Sequence, residues 1–327
     1  MSGRNYENRH CAETIFFVRE SDLLYFQQIA LIIADFFILI FASYFHLNTL
    51  NMATKERVLF VSQEITPYLP ESQMGMIGRH LPQGIQERGR EIRTFMPRFG
   101  NVNERRNQLH EVIRLSGMNL IIDDNDHPLI IKVASIQPAR MQVYFIDNDE
   151  YFQRKATLTD KNGTEYADND ERAIFFCRGV LETVKKLGWA PDVIHCHGWM
   201  TSLLPFFVKT VYKDDPIFEN AKLVFSLYDD TYTNDLDSRM ADKVKFDTLT
   251  DEDVQAFANT SHVGLAKAGI AYSDALIIGN ENVHADVLSA AIASGKPTLS
   301  LQNEETYIDA YSEFYSEVLA ETSILAD

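Results

Sequence analysis

Cysteine is scarce in this chain: Cys11, Cys177 and Cys196 lie far apart and form no Cys-x-x-Cys pair. That usage fits a reduced, cytosolic compartment. Basic residues are also in short supply, 30 against 47 acidic ones, for a net charge of −17. Non-specific nucleic-acid binding, which needs clustered Lys and Arg, is therefore excluded as a role. The acid is dispersed over turns (Asp123, Asp124, Asp126; Asp147, Asp149, Glu150; Asp251, Glu252, Asp253) without the spacing of an EF-hand calcium loop. With 15 glycines and 10 prolines in 327 residues, no long low-complexity region is present. No linker and no internal repeat divides the chain after its first fifty residues.

Those first residues are a separate matter. Leu23 to Leu47 is strongly apolar and as long as a bilayer span, for which roughly 20 residues suffice. Gln27, Gln28 and Asp35 interrupt it, and an unpaired Asp near a helix centre costs about 3 kcal/mol on insertion. No basic stretch with a small-residue cleavage site marks a signal peptide. Met52 opens a new segment directly before a strand. Residues 1–51 thus read as an over-extended N-terminus or as a hydrophobic anchor, with a membrane role disfavoured, and residues 52–327 as the functional domain.

From there strand and helix signals alternate, which predicts an α/β fold with a largely parallel, doubly wound sheet. Val58–Ser62 is the first strand. A proline-containing loop leads to a helix over 75–88, with Met76, Ile77, Leu81 and Ile85 at helical spacing. Ile92–Met96 is the second strand. Leu120–Ile122 and Leu129–Val133 flank Asp-Asp-Asn-Asp-His-Pro and predict an inserted β-hairpin. Strands at 143–146, 193–196, 223–227, 275–278 and 298–301 alternate with helices over 170–187, 199–212, 261–271, 283–293 and 304–319.

The densest chemistry lies in Asp192-Val-Ile-His-Cys-His-Gly-Trp199, a buried strand running into a helix. Ligands of open parallel sheets sit where strands end and helices begin. This stretch resembles a His-Ala-His-Asp-Trp segment of bacterial glycogen and starch synthases. Val58–Ser62 with Glu64, Gly78 with Leu81-Pro82, Met96–Gly100, Tyr144–Asp147, Asn169–Arg172 and Lys267–Gly269 follow in that family's order. The resemblance spans residues 57–280. It implies a Rossmann-like sheet forming the N-terminal half of a GT-B-type glycosyltransferase, a family that extends α-1,4-glucan from ADP-glucose across a cleft between two such domains. This chain is too short for both.

The chain also departs from the pattern. The family's Lys-Thr-Gly-Gly phosphate loop is Pro70-Glu71-Ser72-Gln73-Met74-Gly75, with no lysine and a glutamate facing the same region. Its Asp after the second His is Gly198, and its later His-Asn pair is Tyr228-Asp229. Glu64, Gly75, His195, His197, Trp199, Tyr228, Asp229, Tyr232 and Lys267 remain as candidate substrate-binding residues, and none is assigned a catalytic role. His195 and His197 are expected on opposite faces of their strand, too dispersed for a metal site, for which no ligand set is complete. His195 is expected to hydrogen-bond within the sheet. Trp199 suits core packing and sugar stacking equally, and Lys267 either reaches the cleft or snorkels. Asp229 and Asp230, adjacent and diverging, do not make a glycosidase pair. Cys196 is expected to be an inert, buried thiol.

The expectation is a synthase-like domain that does not transfer glucose on its own, a pseudo-enzyme without cofactor that binds α-glucan, ADP-glucose or a partner protein. The alternative is an active transferase completed by a second polypeptide or by homo-oligomerisation. The aromatic tail with Tyr307, Tyr311, Phe314 and Tyr315 is expected to fold back over the domain.

Overall fold

The computed structural model describes residues 55–324. The apolar segment 23–47, the start at Met52 and Cys11 lie outside the described residues. Among the described residues no helix is long and apolar enough to cross a membrane.

Strand β1 (Arg57–Ser62) has parallel neighbours on both sides. Its alternate residues face opposite ways: Leu59 and Val61 enter one apolar cluster, Val58 and Phe60 another. Being covered on both faces is why β1 is almost continuously apolar. Helix α1 (Gln73–Glu87) begins two residues earlier than its apolar spacing predicts. The reason is Ser72, whose hydroxyl accepts the Gly75 N–H at 2.9 Å and caps the helix. Leu81 and Ile85 are buried as expected, whereas Met76 is 38% exposed.

After β2 (Glu91–Pro97) come the short helix α2 (Glu104–Asn107) and strand β3 (His110–Glu111), neither of which was apparent in the sequence. The hairpin of β4 (Met118–Ile122) and β5 (Asn125–Ile136) is tighter than expected. Asp123 and Asp124 both take positive φ, 48° and 61°, so two residues make the whole turn. Asn125 to Pro128 therefore belong to the strand, not to the loop. β6 (Met141–Asp147), helix α3 (Asp149–Phe152) and helix α4 (Asn169–Leu187) follow.

Strand β7 (Val193–His197) leads through a 3-10 turn, Trp199–Thr201, into α5 (Leu203–Lys209), where one continuous helix was expected. The rest is β8 (Lys222–Leu227), α6 (Met240–Val244), α7 (His262–Tyr272), β9 (Ala275–Ile278), α8 (Ala285–Ala293), the two-residue β10 (Thr298–Leu299) and α9 (Tyr307–Ile324).

The sheet order is β10-β9-β8-β7-β1-β2-β6-β5-β3, with β4 paired to β5. Its core is parallel, and β5 returns antiparallel to β6. Helices α4, α5 and α7 pack on one face and α1 and α9 on the other. Tyr311, Phe314, Tyr315 and Val318 of α9 lie buried against Val58, Phe60, Val193 and Val224. Each such side chain contributes about 1.5–3 kcal/mol, so the tail is an integral layer of the domain.

Candidate functional site

From β1 the sheet runs outward through β2, and from β7 it runs the other way through β8. The carboxyl ends of β1 and β7 therefore bound the switch point, where open α/β sheets hold their ligands. Here that crevice is closed from within. Gln63, immediately after β1, is only 3% exposed. Its N–H donates to the His197 carbonyl at 3.0 Å, and its amide oxygen accepts from the Met200 N–H at 3.2 Å. Gly198 takes φ 90° and ψ 157°, a region almost restricted to glycine. A Cβ there would lie 2.9 Å from Gln63 Cβ and 3.0 Å from the Met74 sulfur.

The structure corrects the placement of the two histidines. Residues two apart on a strand share a face, and the rings of His195 and His197 lie together, centroids 3.8 Å apart. Both sit on the side covered by α9. His195 hydrogen-bonds the Tyr315 hydroxyl through Nδ1 at 2.6 Å and the Ser226 hydroxyl through Nε2 at 2.7 Å. His197 Nδ1 pairs with the Tyr228 hydroxyl at 2.9 Å, and its Nε2 is buried without a partner. Burial holds the His197 imidazole down at about 3. Burial, reinforced by His197, holds His195 well below the usual range. Both rings are thus neutral at pH 7, and a base that weak is a poor proton acceptor. No cluster of three or more metal-ligand side chains occurs among the described residues. Cys196 faces the opposite cluster, where burial raises its thiol above the usual range.

Trp199 is 2% exposed and packs edge-to-face on Tyr232, centroids 4.9 Å apart. Its backbone N–H donates to Asp230, while the indole N–H is buried and unpartnered. Asp230 also lies 3.5 Å from His262 Nε2. Tyr232 donates to the Thr260 carbonyl at 2.7 Å. Tyr228 is buried, its ring so close to Gly279 that a Cβ there would come within 2.5 Å. The space left among Gly198, Trp199, Tyr228, Asp230 and His262 is about 10 Å³, no more than one water needs.

The other candidates lie around this closed point. Glu64 is half-buried and accepts from the Ser72 hydroxyl that caps α1. A Cβ on Gly75 would meet that hydroxyl at 3.0 Å. Asp229 and Lys267 are exposed. The structure thus brings His195, His197 and Tyr228 into one network and Trp199 and Tyr232 into another. Sequence reasoning missed Gln63, Ser226, His262 and the link to Tyr315. Only the motif position of Gln63, between Ser62 and Glu64, offered a signal.

A doubly wound, mostly parallel sheet with an inserted hairpin and a motif-bearing strand β7 at its switch point defines a GT-B-type glycosyltransferase domain. The chain belongs to the starch synthase catalytic domain family, whose pattern matches residues 57–298. It is 35% identical over 233 residues to a glycogen synthase of Chlorobium luteolum, covering 70% of this chain and 46% of that protein. A glycogen synthase of Chlorobium limicola is 40% identical over 173 residues, 53% of this chain and 35% of the relative. The chain therefore spans less than half the length of these relatives. In three dimensions it resembles the catalytic domain of starch synthase IV from Arabidopsis thaliana bound to ADP and acarbose, with a TM-score of 0.61. Identity there is 16%, over 76% of this chain and 52% of that one, so the likeness is one of fold.

Proposed function

We propose that this chain is a synthase-type domain of α-glucan metabolism that binds its ligand without transferring glucose by itself. The packing at the end of β7 supports this reading: only about 10 Å³ is enclosed among Gly198, Trp199, Tyr228, Asp230 and His262, so these side chains pack on one another rather than around a ligand. The electrostatics agree. Phosphate release needs cations or free donors, and a helix N-terminus supplies the donors only while they are unoccupied. Between Gln63 and Gly78 there is no Lys or Arg. The Gly75 N–H is already taken by Ser72, and the Glu64 carboxylate stands beside that cap. A nucleoside diphosphate would meet negative charge there.

Residues 52–327 form the binding unit in this reading. We place it in the cytoplasm, a reading supported by the free, buried thiols of Cys177 and Cys196, which suit a reduced compartment. The test pairs calorimetric titration of ADP-glucose, with and without a malto-oligosaccharide, with incorporation of labelled glucose into glycogen. We expect no incorporation by the chain alone; robust transfer would refute the reading.

A second reading, an active ADP-glucose-dependent transferase completed by another polypeptide or a second copy of this chain, draws on one observation. His197 Nε2 and the Trp199 indole N–H are buried with no hydrogen-bond partner, as groups awaiting a ligand would be. Micromolar ADP-glucose binding, on the order of −8 kcal/mol, would favour it.

A further inference from the structure

While the switch point is closed, a cavity of about 700 Å³ lies open beside it, between α1 and the segment leading into α9. That volume is within the range of small-molecule sites, roughly 300–1,000 Å³. Its polar and aromatic wall consists of Gln73 and His80 from α1 and Gln302, Glu304, Tyr307 and Tyr311 from the tail. The tail residues lie beyond residue 298, where the match to the family's pattern ends.

The chemistry of the wall selects a class of ligand. Its lining contains one carboxylate, Glu304, and no Lys or Arg, which disfavours phosphates and nucleotides. Burial, with Arg79 nearby, holds His80 below its ordinary range, so at pH 7 it is a neutral donor and acceptor. Gln73 Nε2 is fixed on the Gly279 carbonyl at 3.2 Å, which orients its amide in advance. Half-buried Tyr307 meets the buried Tyr311 at 88° with centroids 5.9 Å apart, so Tyr307 is the phenol that the cavity presents to a ligand. Planar amides and a carboxylate suit vicinal hydroxyls, and aromatic rings suit the C–H face of a pyranose.

We propose that this cavity is an oligosaccharide subsite that holds a short, uncharged α-glucan segment away from the switch point. The choice of an α-glucan rests on the functional reading above; the location and neutral character of the ligand rest on the cavity.

The experiment is calorimetric titration of the full chain with maltotriose, repeated for Tyr307→Ala and Gln302→Ala and with ADP-glucose in place of the sugar. Saturable maltotriose binding is expected at a Kd no weaker than about 1 mM. Tyr307→Ala should weaken it at least tenfold and Gln302→Ala at least threefold, with the ADP-glucose response unchanged in both. Should Tyr307→Ala fail to fold, Gln302→Ala decides the matter, because its side chain lies outside the apolar core. Absence of maltotriose binding, or binding indifferent to the folded variants, would overturn the subsite. Glucose transfer by the chain alone would instead refute the functional reading, leaving a variant-sensitive subsite standing.

Discussion

Acidification from pH 7 to 4.5 should destabilise this domain through the imidazoles of His195 and His197. In an unfolded chain each titrates near about 6.5. In the fold, burial keeps His197 at about 3 and His195 well below its usual range. Between those values the unfolded chain takes up the proton and the folded chain does not. Their contribution is therefore intact above about pH 6.5 and is lost as the pH falls, at about 1.4 kcal/mol per unit for each ring. Over two units the His197 ring alone amounts to as much as about 3 kcal/mol, a large share of a typical 5–15 kcal/mol stability, and His195 acts in the same direction. The polar groups hydrogen-bonded to them, Tyr228, Ser226 and Tyr315, are hydroxyls, and burial keeps the Tyr228 and Tyr315 phenols protonated. Urea unfolding followed by tryptophan fluorescence at intervals from pH 7 to 4.5 measures the slope. A His195→Gln/His197→Gln double variant, which cannot titrate there, should flatten it even if less stable throughout. An equal slope in the wild type and the double variant would refute the reasoning.

Two further perturbations test the packing around the site. Gly198→Ala forces a side chain onto a φ of 90° and against Gln63, and should cost about 1–3 kcal/mol; an unchanged urea midpoint would contradict the close approach. Lys243 is 2% exposed and lies 2.9, 2.7 and 2.7 Å from carboxylate oxygens of Asp170, Glu171 and Asp237. Lys243→Met strands the buried Asp170 carboxylate and should cost about 3–5 kcal/mol, read as loss of soluble protein or a collapsed urea midpoint.

Local chemistry made much of this protein legible in advance. Apolar runs such as Val58–Val61 and Val193–Cys196 belong to strands buried on both faces, and their alternation with amphipathic segments implied a doubly wound sheet. The motif Asp192–Trp199 likewise announced its place at a strand end. Boundaries were missed where a single side chain decided them, as at the Ser72 cap and the Asp123–Asp124 turn.

The state of the site was not legible, because it depends on groups distant in sequence. Tyr315 reaches His195 across 120 residues and Gln63 reaches Met200 across 137. Strand period alone puts the two histidines on one face, but only α9 folded over that face makes them buried, neutral and hydrogen-bonded. The sequence by itself determined the class of fold and the position of its motif, since hydrophobic period and capping are local properties. Tertiary structure alone decided how tightly the switch point is packed and that an open cavity stands beside it, because the first depends on side chains brought together from remote elements and the second on how the tail packs.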